Sequence, residues 1–162
     1  MNVLVLGLGN ILLSDEGVGV RIVEALEERY QLPETVEVLD GGTSGMDLLD
    51  QIAGHDLLIV ADAIRADEAP GTVIRLADDE IKAFFRTRMS PHQIGLADVL
   101  ASLRLSNEEP RHVVIIGVVP ESLDLGLDLT PVNAAARETA VAMIVDELRT
   151  SGIDATLREQ VS

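Results

Sequence analysis

Val3-Leu4-Val5-Leu6-Gly7-Leu8-Gly9-Asn10-Ile11-Leu12-Leu13-Ser14-Asp15-Glu16-Gly17-Val18-Gly19 reads as a buried strand, a glycine-bearing turn and the start of a helix. Nucleotide-binding loops begin this way, with glycines that free the backbone amides to meet a phosphate at the helix N-terminus. Here the third glycine of G-x-G-x-x-G is replaced by Leu12, and Asp15 and Glu16 bring negative charge to the place where the phosphate would sit. Taken alone, the two acids are ordinary helix-start residues, with Asp15 as cap and Glu16 favourable to the helix dipole. Gly17 and Gly19 directly behind them are not ordinary. Glycine inside a first helical turn costs about 1 kcal/mol, so their presence predicts a close approach.

Working outward, apolar runs of strand length occur at Asn2 to Leu6, Val36 to Leu39, Leu57 to Ala61 and His112 to Val119, with a weaker one at Thr72 to Leu76. Helical patterns fall between them: Val18 to Leu26, Met46 to Ile52, Ile94 to Leu105 and Val132 to Leu148. This alternation predicts an α/β fold, a three-layer α/β/α sandwich around a mostly parallel, twisted five-stranded sheet. Ala69-Pro70-Gly71 reads as a hairpin-type turn, which makes the strand after it an antiparallel edge strand. Pro131 suits the first turn of the last helix after Thr130 as cap, and Gly54 and Gly152 fall just past helix ends. Residues 1–162 are expected to form one domain, with about 151–162 a frayed tail.

Composition narrows the chemistry. With two Phe, one Tyr and no Trp the core must be aliphatic, and with no Cys there is no disulfide, thiolate metal site or thiol nucleophile. The 28 acids against 12 Lys and Arg give a formal net charge of −16, which repels nucleic acid and anionic membranes. No apolar run is long enough to span a bilayer and no basic leader precedes the first strand, so a cytoplasmic location is expected.

Acids recur at equivalent places. The second strand ends in Asp40 before Gly41-Gly42-Thr43-Ser44-Gly45, and the third ends in Asp62. In a doubly wound sheet the carboxyl ends of the strands form the binding crevice. If the first strand lies between the other two, Glu16, Asp40 and Asp62 share one rim, and three facing carboxylates repel unless a cation or protons intervene. His92, in Ser90-Pro91-His92-Gln93, lies on a loop leading into a helix that can reach over that rim. Two carboxylates and an imidazole suit a borderline divalent metal such as Ni or Zn. Thr43 and Ser44 lack the spacing of a nucleophile elbow and read better as a cap for the second helix, with Gly41 and Gly42 allowing a close backbone approach.

Together, the stretch from Gly7 to Gly19, Asp40 to Gly45, Asp62, Ser90-Pro91-His92 and Gly117-Val118-Val119-Pro120 resemble the hydrogenase maturation endopeptidases, in the right order over nearly the whole chain. The resemblance implies a peptidase that removes a C-terminal extension from the precursor of a [NiFe]-hydrogenase large subunit after nickel insertion. It maps nickel recognition onto Glu16, Asp62 and His92, and the family's acid after the second strand onto Asp40, a candidate for activating water. Gly41, Gly42 and Thr43 would then contact substrate, and Gly17 and Gly19 would leave room for its tail. The nickel would be carried by the substrate, with no permanently bound cofactor, and the partner would be the precursor alone, met by a monomer. No H-E-x-x-H of a resident-zinc protease is present. Three alternatives stand beside this reading: a nucleotide-binding module using Gly7, Gly9 and Asp40, a nickel-handling chaperone without protease activity, and a peptidase of the same shape acting on another precursor.

Overall fold

The computed structural model describes residues 1–86 and 91–158, without the side chains of residue 85 and residues 91–95. In chain order the elements are β1 (Val3–Leu8), α1 (Val18–Arg29), β2 (Tyr30–Gln31), β3 (Val36–Gly42), α2 (Leu49–Ile52), β4 (Leu57–Ala63), β5 (Val73–Ala77), α3 (Asp79–Phe85), α4 (Pro91–Leu105), β6 (His112–Val118), α5 (Pro131–Thr150) and β7 (Thr156–Leu157). Single 3-10 turns at Ser14–Gly17 and Met46–Leu48 precede α1 and α2.

Five strands form one sheet in the order β3-β1-β4-β6-β5, parallel except for β5, which runs antiparallel to β6 at the edge. The expected three-layer sandwich with its antiparallel edge strand is thus the fold observed. Every residue of β1 and β4 is buried, which is why these runs are apolar without alternation. One core layer sets Val3, Val5, Ile59 and Ile116 against Ile22 and Leu26 of α1 and Ala140 and Ile144 of α5. The other sets Leu4, Leu6, Leu58 and Val60 against Ile52 of α2 and Leu96, Val99 and Leu103 of α4. Among the described residues no helix is long and apolar enough to cross a membrane.

Several local expectations change. The turn at residues 69–72 is present, with Gly71 at φ +87° and the Thr72 amide donating to the Ala69 carbonyl, but β5 pairs with β6 and not with β4, so no hairpin forms there. The chain beyond Thr150 does not fray over its described part. Ile153 is buried against the α1/α5 layer, β7 pairs antiparallel with β2 through Tyr30 and Leu157, and the Arg158 side chain donates to the Glu27 carbonyl at 2.9 Å. Helix α3 carries no sequence signal strong enough to have been expected. Gly54 and Gly152 do adopt the left-handed backbone, at φ +81° and +84°.

Candidate functional site

Helix α1, after β1, covers one face of the sheet, whereas α3 and α4, which lie between β4 and β6 in the chain, cover the other. The carboxyl ends of β1 and β4 therefore diverge at a topological switch point, where α/β sheets open a crevice. Glu16 lies in the 3-10 turn that follows β1 and packs against β4, and Asp62 lies buried on β4 opposite Gly117 of β6. Two of the acids expected on the rim therefore flank the switch point.

Helix α4 brings the third residue toward them. Its last turn leads to Glu108, whose carbonyl accepts from the Gly54 amide just before β4, so the helix ends at the amino end of the sheet. Its 15 residues span about 22 Å, and the first turn, containing His92, faces the carboxyl end. The His92 side chain lies outside the described residues, and among those described no three His, Cys, Asp or Glu side chains form a metal-holding group.

Asp40 occupies the same rim but the opposite face. It pairs in register with Gly7, and the alternation of β3 gives it the facing of Val36 and Val38, toward the α1 layer. Asp62 shares the facing of Leu58 and Val60, toward the α4 layer. The Asp40 side chain is exposed, with Oδ1 accepting from the Gly42 amide at 2.9 Å. This closes a turn in which Gly42 has φ +52° and its carbonyl accepts from Gly9 N at 2.8 Å. The close approach is at Gly41, where a Cβ would lie 2.8 Å from the Leu6 side chain, whereas glycine at 42 serves its positive φ. Thr43 is exposed beside it, and neither Thr43 nor Ser44 caps the following turn, whose N-cap is Gly45 without a side-chain bond.

The glycines of the opening stretch also serve the protein's own packing. A Cβ on Gly19 would lie 2.1 Å from the Ala61 carbonyl oxygen and 2.4 Å from that of Leu8, and one on Gly17 2.6 Å from Ile11 Cα. The close approach foreseen there is real, but β4 and the loop fill the space, leaving none for a substrate's tail. The loop amides are equally committed. Those of Gly9, Leu13, Ser14, Asp15 and Glu16 donate to main-chain carbonyls, and that of Leu12 donates to the Asn10 side chain. These six amides are unavailable to a phosphate, which counts against the nucleotide-binding alternative.

Asp15 is the residue whose role the sequence concealed. It caps no helix. Fully buried, its carboxylate accepts from the amides of Glu121 (2.9 Å), Ser122 (3.2 Å) and Thr130 (2.9 Å) and from the Thr130 hydroxyl (2.8 Å). Thr130 does stand at the N-cap of α5 with Pro131 behind it, but its hydroxyl is given to Asp15 and not to the helix. Ser14 extends the clamp, its Oγ donating to the Asp124 carbonyl at 2.7 Å and its amide to that of Gly126 at 2.8 Å. The turn that presents Glu16 is thereby fixed to the 120–130 loop. No nearby residue signals this, because every partner lies more than 100 residues away.

Comparison with known proteins agrees with this arrangement. A model of the hydrogenase maturation protease family matches residues 20–147. The chain is 53% identical to the hydrogenase 2 maturation protease of Escherichia coli over 99% of both chains, and 44% identical to the hydrogenase expression/formation protein HoxM of Azotobacter vinelandii over 98% of this chain and 77% of that one. Among solved structures, the hydrogenase maturating endopeptidase HybD from Escherichia coli superposes with a TM-score of 0.93 at 53% identity, covering 98% of each chain. The [NiFe] hydrogenase maturation protease HybD from Thermococcus kodakarensis does so with a TM-score of 0.78 at 30% identity, covering 91% of this chain and 99% of that one.

Proposed function

The chain belongs to the hydrogenase maturation protease family, and we propose that it is the endopeptidase that removes the C-terminal extension of a [NiFe]-hydrogenase large-subunit precursor once nickel has been inserted. The observation that carries the nickel-sensing part is the placement of Glu16 and Asp62 on either side of the β1/β4 switch point, on the side toward which the first turn of α4 points. Oxygen donors from two carboxylates and nitrogen from His92 match what a divalent nickel ion accepts.

In this reading nickel arrives as part of the substrate. Glu16, Asp62 and His92 engage it and so hold the adjoining peptide bond in place, converting binding into orientation of the reacting groups. A bound divalent ion polarises a nearby carbonyl. Hydrolysis then consumes one water, whose oxygen bonds to the carbonyl carbon while the C–N bond breaks and the new amine takes up a proton. Asp40 is the candidate to draw a proton from that water, reaching the crevice from the α1 side. Thr43, exposed beside it, is the contact for an extended peptide, with Gly42 half-buried and Gly41 buried behind it.

The test is to incubate purified large-subunit precursor, nickel-loaded and nickel-free, with the protein and with Glu16→Gln, Asp62→Asn and His92→Ala, and to read precursor mass. Cleavage of the nickel-loaded form alone, reduced at least tenfold in each variant, is expected. Undiminished cleavage in all three variants overturns the nickel-sensing role. Nickel transfer with no change in precursor mass would favour the chaperone instead.

A further inference from the structure

The 120–130 loop is held more firmly than its sequence explains, and what it displays is apolar. Leu125 is 86% exposed and Leu127 61% exposed, and Leu123 is exposed as well. A mobile loop would fold such residues inward. This one cannot, because Asp15 holds both of its ends, Ser14 holds its middle, and Arg21 Nη2 donates to the Leu127 carbonyl at 3.0 Å. A parallel bridge between Leu13 and Gly126 sets Leu125 beside Leu12, itself 55% exposed. The result is a contiguous apolar ledge that begins a few residues before Glu16. Burying a carboxylate to keep leucines in water makes sense only if something else covers them.

We propose that this ledge is the docking surface for the body of the hydrogenase large-subunit precursor, through an apolar patch bordered by Lys and Arg side chains. The inference rests on the function proposed above and adds to it the surface that selects the substrate protein. Continuity is one argument: through the Leu13–Gly126 bridge and Ser14 the ledge joins directly onto the turn that carries Glu16. Charge is the other. Glu121, Asp124 and Asp128 alternate with the leucines, no Lys or Arg occurs between Arg111 and Arg137, and Arg21, which reaches the loop, is itself paired with Glu24. A second copy of this chain, at net charge −16, would set acid against acid, whereas a basic-rimmed partner is attracted.

The test compares the wild type with Leu125→Ser/Leu127→Ser and with Asp124→Lys/Asp128→Lys, using purified nickel-loaded precursor. Binding is read by calorimetry and cleavage by mass, with free proteins examined by sedimentation velocity. The leucine pair is expected to raise Kd and KM about tenfold with kcat and the urea midpoint unchanged, as for removal of central apolar contacts. The lysine pair is expected to weaken binding less and to flatten its salt dependence. Unchanged Kd and KM in the leucine pair overturn the proposal, as does a wild-type dimer that this pair converts to monomer. If the wild type binds precursor without cutting it, the functional reading fails, while a tenfold loss of binding in the leucine pair still sustains the docking surface.

Discussion

Asp15 accepts hydrogen bonds from both the main-chain amide and the hydroxyl of Thr130, at 2.9 and 2.8 Å, across 115 residues of chain. Replacing the carboxylate leaves several buried donors unsatisfied, the costly side of any hydrogen-bond deletion. Asp15→Ala is expected to lower stability by about 3–5 kcal/mol. Thr130→Val, which removes one bond of the set, should cost about 1 kcal/mol. Urea unfolding of both variants measures the contrast, and equal losses would contradict a shared clamp centred on Asp15.

Gly19 and Gly54 separate two uses of glycine. A methyl group at Gly19 meets two backbone oxygens that cannot turn away, so Gly19→Ala is expected to cost more than about 3 kcal/mol or to prevent folding. At Gly54 nothing lies within 4 Å of an added Cβ, and only the positive φ penalises Gly54→Ala, by about 1 kcal/mol. Thermal melts of the pair give the comparison.

The pinned tail has its own signature. Ile153→Ala is expected to destabilise by about 2–4 kcal/mol, since the side chain is buried beside α1 and α5. Leu157→Ala, on an exposed residue, should cost under about 1 kcal/mol. Hydrogen exchange at Tyr30 and Gln31 would rise on deletion of residues 154–162, because β2 loses its partner β7.

Acid should weaken the fold in a traceable way. The Glu138 carboxyl is held below its ordinary value near 4.5 by a hydrogen bond from the Arg29 guanidinium, and that of Asp56 below 3.8 by the Asn2 amide. With folded values below unfolded ones, the native state binds fewer protons through this range. The stabilisation is present above the ordinary values and is lost as pH falls through the folded ones. Glu138→Gln is expected to flatten that acid limb by less than about 1 kcal/mol, because the pair is half exposed. Urea midpoints from pH 6 down to 3 supply the measurement.

The sandwich was legible because β1, β4 and β6 are apolar runs buried between two helical layers, a pattern independent of which strands adjoin. The neighbour of β5 was not. Its turn announced an antiparallel strand, but only the sheet could choose β6 over β4. Asp15 and Glu16 show the same boundary within the site. As adjacent acids they look alike, and they part only when Glu121, Ser122 and Thr130 arrive to bury one of them. The close approach at Gly17 and Gly19 was readable from the cost of glycine in a helix, whereas its occupant, the protein's own backbone, was not. Two-residue strands such as β2 and β7 carry no periodicity at all.

The clamp also sets an order of events during synthesis. At roughly 5–20 residues per second, Thr130 follows Asp15 off the ribosome by on the order of ten seconds, and Leu157 reaches Tyr30 later still. Over that interval the turn bearing Glu16 has no 120–130 loop to hold it. A nascent chain can therefore settle β1, α1 and β4 early, yet the turn bearing Glu16 gains its clamp only when α5 begins to emerge.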